Sequence, residues 1–534
     1  MQRQKQGKQV WPYLLTVRKS DSQSGNWSSI LHGATMKGCS HISGTAFLFV
    51  VKNTMQPENI KTKTAEGLFW GGLSNVLQQL LNLGFGIFLA RKLSVSDYGI
   101  IGMLTIFAAL SNALQEGGFR SALTNRKNIS SNDYNSVFWV SFLTATILYL
   151  VLFFSLPWIA DFFKTPELVC LGRFMFLGFL FCSLGTANNA YLFKNLKVKE
   201  MSKCTLTATL VSGITAVVLA FLDFTYWAIA AMNVVYIVVS TVMYKIFSPL
   251  KISFKIDFRP VKEMLPFSSK LLITTVFQIL NDNFFTTLLG RFFTKIEVGF
   301  YSQAYKWSNL GTQTISLAIE NVMQPVLAKT EQNSLLNVFN KLMRTTCFIA
   351  FPCMLGLGFI APEFISVTIT DKWAQSAEIM TILCVWGAFY PVGKLYQKQL
   401  LSSSKSGILM FCVITNCLLQ ILTVVFTFKY GILMMAAFYV VVNILCIFLL
   451  HYFVRKINGV KIIDILKNTL PFLIAVCIAI FFAYVISTWF SNVYIKLLTK
   501  IIVTAIVYFG ILKIAKSEIL AQSVGFLKSF LKRK

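Results

Sequence analysis

The stretch LARKLSVSDYG at residues 89–99 returns as LGRFFTKIEVG at residues 289–299. Leu89, Arg91, Ser94, Asp97 and Gly99 meet Leu289, Arg291, Thr294, Glu297 and Gly299, each at the same step (291 − 91 = 200). Upstream the step holds for Ser74 with Thr274, Gln78 with Gln278 and Asn82 with Asp282. Downstream it slips by four, so that Glu116 matches Glu320 (320 − 116 = 204) and Arg120 falls beside Gln324. Both copies lie in hydrophobic segments. A membrane protein built from two related halves usually places its substrate site at their interface and works by moving one half against the other. The repeat therefore favours a transporter over an enzyme.

The 534 residues around this repeat are 55% hydrophobic and only 13% charged, with a mean hydropathy of +0.65. That is too apolar for a soluble multidomain protein. Segments of about 20 apolar residues, enough to cross a bilayer, recur along the chain. They predict an all-α integral membrane protein with about 14 transmembrane helices, at 68–90, 98–118, 136–160, 170–192, 205–222, 225–244, 271–292, 299–327, 345–368, 379–401, 407–428, 432–453, 469–489 and 493–513.

The connections between these segments alternate in charge. One set includes Lys194, Lys197, Lys199 and Lys203, then Lys245, Lys251, Lys255, Arg259 and Lys262, and ends in Lys528, Lys532, Arg533 and Lys534. The opposite set offers only Arg91, Lys92, Lys164, Lys295, Lys372, Lys429 and Lys496. By the positive-inside rule the first set and both termini are cytoplasmic. This asymmetry accounts for most of the net charge of +28. A nucleic-acid partner would call for a compact basic domain, and no soluble segment is long enough; orientation and contact with anionic membrane lipids suffice. The cysteines show no CxxC spacing and read as small apolar fillers. His32, His41 and His451 are too few and too far apart for a metal site, and no cofactor is expected.

Residues 1–54 do not match the rest, being rich in Ser, Gly, Gln and Lys with no run long enough for a span. They read either as a basic disordered cytoplasmic tail or as text upstream of a start at Met55, which the short charged lead and immediate helix after it favour. Residues 55–244 then form an N-terminal six-helix bundle. Residues 245–270, with Pro249, Pro260 and Pro266, form a cytoplasmic linker. Residues 271–455 form a C-terminal six-helix bundle, 456–515 an additional helix pair without a counterpart in the repeat, and 516–534 a basic cytoplasmic tail. The sparsely charged connections are short, which weighs against membrane glycosyltransferases, polymerases and ligases. No GxxxxGK[ST] phosphate cradle occurs either.

Polar side chains line up inside the spans. Ser302, Lys306, Asn309, Gln313, Ser316 and Glu320 are spaced 4, 3, 4, 3, 4, on one helix face. Gly71, Asn75, Gln78 and Asn82 follow the same rule, while Gln278 and Asp282 lie on the seventh span and Glu116 on the second. A charge near the bilayer centre costs at least about 2.5–3.5 kcal/mol, which makes such residues functional candidates. The candidate substrate-binding set is Asn75, Gln78, Asn82, Glu116, Arg120, Gln278, Asp282, Lys306, Asn309, Gln313 and Glu320. Two plainer readings stand beside it: an ion pair between Asp282 and Lys306, and helix-to-helix hydrogen bonds for the Asn and Gln residues. Neutral hydrogen-bonding groups suit a sugar, and cations suit a pyrophosphate.

GLFWGGLSNVLQQLLNLGFGIFLARKLSVSDYGIIGM, QEGGFRSALTNRKN and LLGRFFTKIEVGFYSQAYKWSNLGTQTISLAIENVMQPVLAK together resemble the bacterial polysaccharide exporters of the Wzx type. FYSQAYKW and QPVLAK are fairly specific to that family. Its superfamily also holds multidrug and toxin extruders and lipid II flippases. The resemblance covers about residues 60–515 and implies two six-helix bundles around a central cavity. It further implies translocation of undecaprenyl-pyrophosphate-linked oligosaccharide for surface polysaccharides such as O-antigen or exopolysaccharide, in company with polymerase and glycosyltransferases of the same pathway. A multidrug or lipid II exporter of the same superfamily is the alternative.

Overall fold

In the computed structural model the described residues are 57–116, 130–250, 252, 253, 259, 276, 277, 279, 280, 283, 287–331, 334–403, 405–522 and 525. The expected tail at 1–54, most of the 245–270 linker and much of the predicted span at 271–292 lie outside them. The chain divides into two compact units, Met1–Thr62 and Lys63–Lys534, and the apolar helices belong to the second.

Among the described residues every regular element is a helix. In the N-terminal half these are α1 (Pro57–Lys92), α2 (Val95–Glu116), α3 (Ser131–Phe162), α4 (Leu168–Lys194), α5 (Val198–Phe221) and α6 (Tyr226–Phe247). The C-terminal half contains α7 (Lys295–Lys329), α8 (Leu335–Phe359), α9 (Ala361–Ile369), α10 (Ala374–Ser402), α11 (Ser406–Thr427) and α12 (Ile432–Asn458). The chain then adds α13 (Ile462–Ser487) and α14 (Val493–Ile514). Among the described residues eleven helices are long and apolar enough to cross a membrane. In α2 the apolar run is shorter, 95–110, and α7 carries the polar stripe. Large apolar side chains such as Ile147, Phe154, Leu418 and Ile506 face outward, as they must in a multi-pass membrane protein whose solvent is lipid.

The predicted span at 345–368 is not one helix. α8 stops at Phe359, and α9 begins after Ile360 with Pro362 in its first turn. Pro362 has no N–H to continue the α8 ladder, and a helix start is the place where that loss costs nothing. The break also lets α9 carry its carboxylate, Glu363, against α14.

Helix packing runs within each half and across. α3 lies on α4, α4 on α6 and α5 on α6, while α7 and α8 both pack on α10, and α10 packs on α12. Across the halves α2 packs on α7. α1 leans on α5: Ser202 Oγ donates to Ser74 Oγ at 3.0 Å, and the Phe85 ring fills the space that a side chain at Gly213 would take.

α13 and α14 pack on each other and dock on the C-terminal half, α13 on α8 and α14 on α9. At that joint Lys500 Nζ donates to both oxygens of Glu363, at 2.7 and 2.8 Å, with both side chains buried. Two charges taken out of water depend on each other; losing Lys500 leaves Glu363 with only Lys496, at 3.8 Å, at up to about 3–5 kcal/mol. Lys500→Met is therefore expected to lower the thermal unfolding temperature of the solubilised protein by several degrees. The pair Lys500→Met with Glu363→Leu should recover most of that loss, and thermal unfolding of the three variants checks it.

Candidate functional site

The repeat motif has a local meaning before it has a global one. Ser94 precedes α2 and Thr294 precedes α7. Asp97 N–H donates to Ser94 Oγ at 3.2 Å while Ser94 N–H donates to Asp97 Oδ2 at 2.9 Å. In the second copy Glu297 N–H donates to Thr294 Oγ1 at 3.3 Å, and Thr294 N–H to Glu297 Oε2 at 2.9 Å. Hydroxyl, two residues, carboxylate is thus a capping box in both halves, satisfying the N–H groups that each helix start leaves without partners.

The two helix starts so fixed lie against each other. A Cβ on Gly99 would run into the Lys295 carbonyl oxygen, and a Cβ on Gly299 into that of Val95. One turn deeper, Gly102 faces the Ser302 hydroxyl. The halves meet here backbone to backbone, and only a residue without a side chain permits it.

The arginines of the motif lock the same seam, and they do so reciprocally. Arg91, in the N-terminal half, donates from Nε to Thr368 O and from Nη2 to Val367 O, both at 2.7 Å, at the C-terminus of α9. Arg291, in the C-terminal half, donates from Nη1 to Phe162 O at 2.7 Å, at the C-terminus of α3. Each guanidinium satisfies helix-end carbonyls of the opposite half, where the helix dipole also favours a cation. Lys372 Nζ reaches the Arg91 and Leu93 carbonyls at 2.7 and 2.8 Å. The buried Trp373 donates to Ala90 O at 2.9 Å and meets Tyr98 and Phe300 edge-on. Lys295 pairs with Glu167 at 2.8 Å, and the ammonium holds that carboxyl below the usual range. All these contacts sit on the sparsely charged face.

Lys306 lies eleven residues into α7, about 16 Å from its start at 1.5 Å per residue and so near mid-membrane depth. Its side chain is exposed, and its Nζ comes within 2.9 Å of where a Cβ on Gly86 of α1 would stand. It forms no ion pair or hydrogen bond among the described residues, and its nearest aromatic face is Trp307 at 5.8 Å. Among the described residues this ammonium has no partner, which leaves it available to an anion.

Asn309 and Gln313, the next members of the stripe, line a cavity of about 40 Å³ in the C-terminal half with Trp386 and Tyr390 of α10 and Tyr439 of α12. Gln78 is engaged otherwise, donating to Thr209 Oγ1 at 3.2 Å and to Tyr236 Oη at 3.5 Å, both in its own half. Asn75 and Asn82 are exposed on α1 without a hydrogen bond among the described residues. The side chains of Glu116, Arg120, Gln278, Asp282 and Glu320 lie outside the described residues, and with them the expected pairing of Asp282 and Lys306. Ser302 and Ser316 belong to the stripe by spacing, yet their hydroxyls are packed away from the open space.

Sequence reasoning missed Lys372, Trp373, Trp386, Tyr390 and Tyr439. The first two follow a span without periodic pattern, and the aromatics are ordinary in apolar helices. Only their approach to α1 and α7 distinguishes them.

Residues 88–378 match the model of a family described as polysaccharide biosynthesis proteins, which takes in the seam and the α7 stripe. The chain belongs to that family. A relative from Klebsiella pneumoniae, an uncharacterized membrane protein in the cps region, is 23% identical over 491 residues, covering 89% of this chain and 99% of its own. The lipopolysaccharide biosynthesis protein WzxC of Escherichia coli is 24% identical over 361 residues, 66% of this chain and 72% of that one. Among solved structures, the lipid II flippase MurJ in an inward closed conformation superposes with a TM-score of 0.68 at 18% identity, covering 84% of this chain and 99% of MurJ. That likeness gives this polysaccharide biosynthesis family member a flippase-type fold.

Proposed function

We infer that the chain moves undecaprenyl-pyrophosphate-linked oligosaccharide repeat units from the cytoplasmic to the outer leaflet of a bacterial inner membrane by alternating access, for assembly of surface polysaccharide. The observation that carries this reading is the reciprocal seam in a chain of the polysaccharide biosynthesis family. Two halves are pressed together on one face by contacts that can be broken and remade, while an ammonium without a partner among the described residues and neutral amides lie deeper in the membrane. By the charge bias the sealed face is the outer one and both termini are cytoplasmic.

The chemistry follows from the residues. Lys306 supplies a charge-assisted donor for a pyrophosphate oxygen, at a depth where a free cation has little other reason to persist. The hydroxyls of the saccharide replace water on neutral amide groups, and the lipid tail stays in the hydrocarbon. Opening the outer side requires that α2 and α7 separate, that Lys295 and Glu167 part, and that Arg91, Arg291, Lys372 and Trp373 give up carbonyl partners, which water can then satisfy. Polymerase and glycosyltransferases of the same pathway would supply and consume the cargo.

Deleting the gene is expected to stop export without stopping synthesis. Lipid-linked repeat units should build up on the cytoplasmic leaflet, and surface polysaccharide should fall to background. The measurement is extraction of lipid-linked oligosaccharide, with its leaflet assigned by access to an added glycosidase on the outer side. Material fully accessible from outside would overturn the reading. Unchanged polysaccharide with altered tolerance to cationic compounds would point instead to a drug exporter.

A further inference from the structure

We propose that the cavity between α7, α10 and α12 is a monosaccharide subsite, which takes the hydroxyl-bearing edge of one sugar ring of the cargo. The proposal rests on the saccharide reading above and names where in the protein the sugar is recognised.

The lining divides into two kinds of surface. Asn309 and Gln313 stand one helical turn apart on α7, half-buried, and neither forms a hydrogen bond among the described residues. Each amide offers two donors and a carbonyl acceptor, so the pair can hold neighbouring hydroxyls as donor to one and acceptor from the other. Facing them, Trp386 and Tyr390 meet edge-on with ring centroids 5.8 Å apart and planes at 88°. An aromatic face suits the C–H side of a pyranose, which is apolar although its rim is covered in hydroxyls. Aromatic walls with a few converging polar groups are the usual composition of a small-ligand pocket.

Size sets how much of the sugar enters. At roughly one water per 10–15 Å³ of such space, the cavity of about 40 Å³ holds about three waters. That matches the hydroxyls of one ring edge, with the rest of the ring left in the space outside.

The repeat supplies an internal control. In the 204 register Asn309 and Gln313 correspond to Thr105 and Ala109, and in the 200 register to Ala109 and Ala113. Under either alignment the N-terminal half has lost both amides. The pair is therefore not a requirement of the shared scaffold and belongs to the C-terminal half.

The test uses the purified full chain in lipid nanodiscs and, as probe, oligosaccharide freed by mild acid from the host's own surface polysaccharide. Saturation-transfer NMR reads which sugar protons touch the protein. Wild type and Trp386→Phe, which keeps an aromatic face, are expected to give the same set of enhanced protons on one ring. Asn309→Ala with Gln313→Ala, and separately Trp386→Leu, are expected to lower that enhancement at least tenfold while circular dichroism and thermal unfolding stay near wild type. No enhancement in wild type, or equal enhancement in all variants, would overturn the subsite. The accumulation of lipid-linked material in the deletion strain is read independently, so a failure of the flippase reading is seen there and not confused with a failure of the pocket.

Discussion

A Gly99→Val protein is expected to reach the membrane at near wild-type level and to deliver less than a tenth of the surface polysaccharide. The Cβ alone would collide with the Lys295 carbonyl, which is main chain of α7 and cannot rotate away. Overpacking a close contact costs about 1–3 kcal/mol even where side chains can adjust, and here both walls are backbone. Relief comes only by moving α2 away from α7, which opens the seam. A conformational equilibrium whose two states differ by a few kcal/mol is displaced by a term of that size. Gly299→Val should behave alike, because it meets Val95 O in the mirror-related contact. Surface polysaccharide, protein level and amide hydrogen exchange over residues 95–100 and 295–300 check the prediction together. Faster exchange in those two segments with an intact fold is the expected signature. Full export by the valine protein would show that the seam does not govern the cycle.

Lys306→Glu carries the second large effect. The ammonium has no carboxylate partner among the described residues, so the change does not break an ion pair seen in the structure. On the role proposed for Lys306, it removes a charge-assisted hydrogen bond to the cargo, worth about 1.5–3 kcal/mol, and adds repulsion against pyrophosphate. At 1.4 kcal/mol per tenfold, export should fall by roughly 10- to 100-fold. Lys306→Arg should keep a substantial part of it, since the fork also grips phosphate oxygens. Transport of lipid-linked oligosaccharide into the outer leaflet of proteoliposomes measures both. A neutral partner change, Lys306→Ala with Asp282→Ala, separates the roles: recovery of export would mean that Lys306 serves to balance Asp282, and persistent loss with normal protein level would mean that it serves the cargo.

The helical membrane architecture was readable because bilayer thickness imposes a length on each apolar segment. Ends of helices were readable to within a few residues where Ser94 and Thr294 sit ahead of a carboxylate. The break at Ile360 was written in Pro362, yet a hydropathy window averages over it. Of the candidate site, Lys306, Asn309 and Gln313 were found by helical spacing alone, since a stripe through a membrane helix cannot face lipid. Gln78 obeyed the same rule for another reason, binding Thr209 and Tyr236 within its own half, and spacing does not distinguish a bonded amide from a free one. The acceptors at Phe162, Val367 and Thr368 left no trace in the sequence at all, because main-chain oxygen is the same in every residue.

Acceptors of that kind also bear on where such a protein can work. Main-chain oxygens do not titrate, so a closure made by Arg91, Arg291 and Lys372 on carbonyls has no proton to lose or gain across the acidity that an outer compartment shares with its surroundings. Glu167 is a titratable acceptor on this face. Lys295 depresses its carboxyl, so its contribution is present above the ordinary glutamate range and fades only as the medium falls through the lowered value. A cell in mild acid would keep its outer door shut with the same grip as one at neutrality, and the door would answer to the cargo rather than to the weather outside.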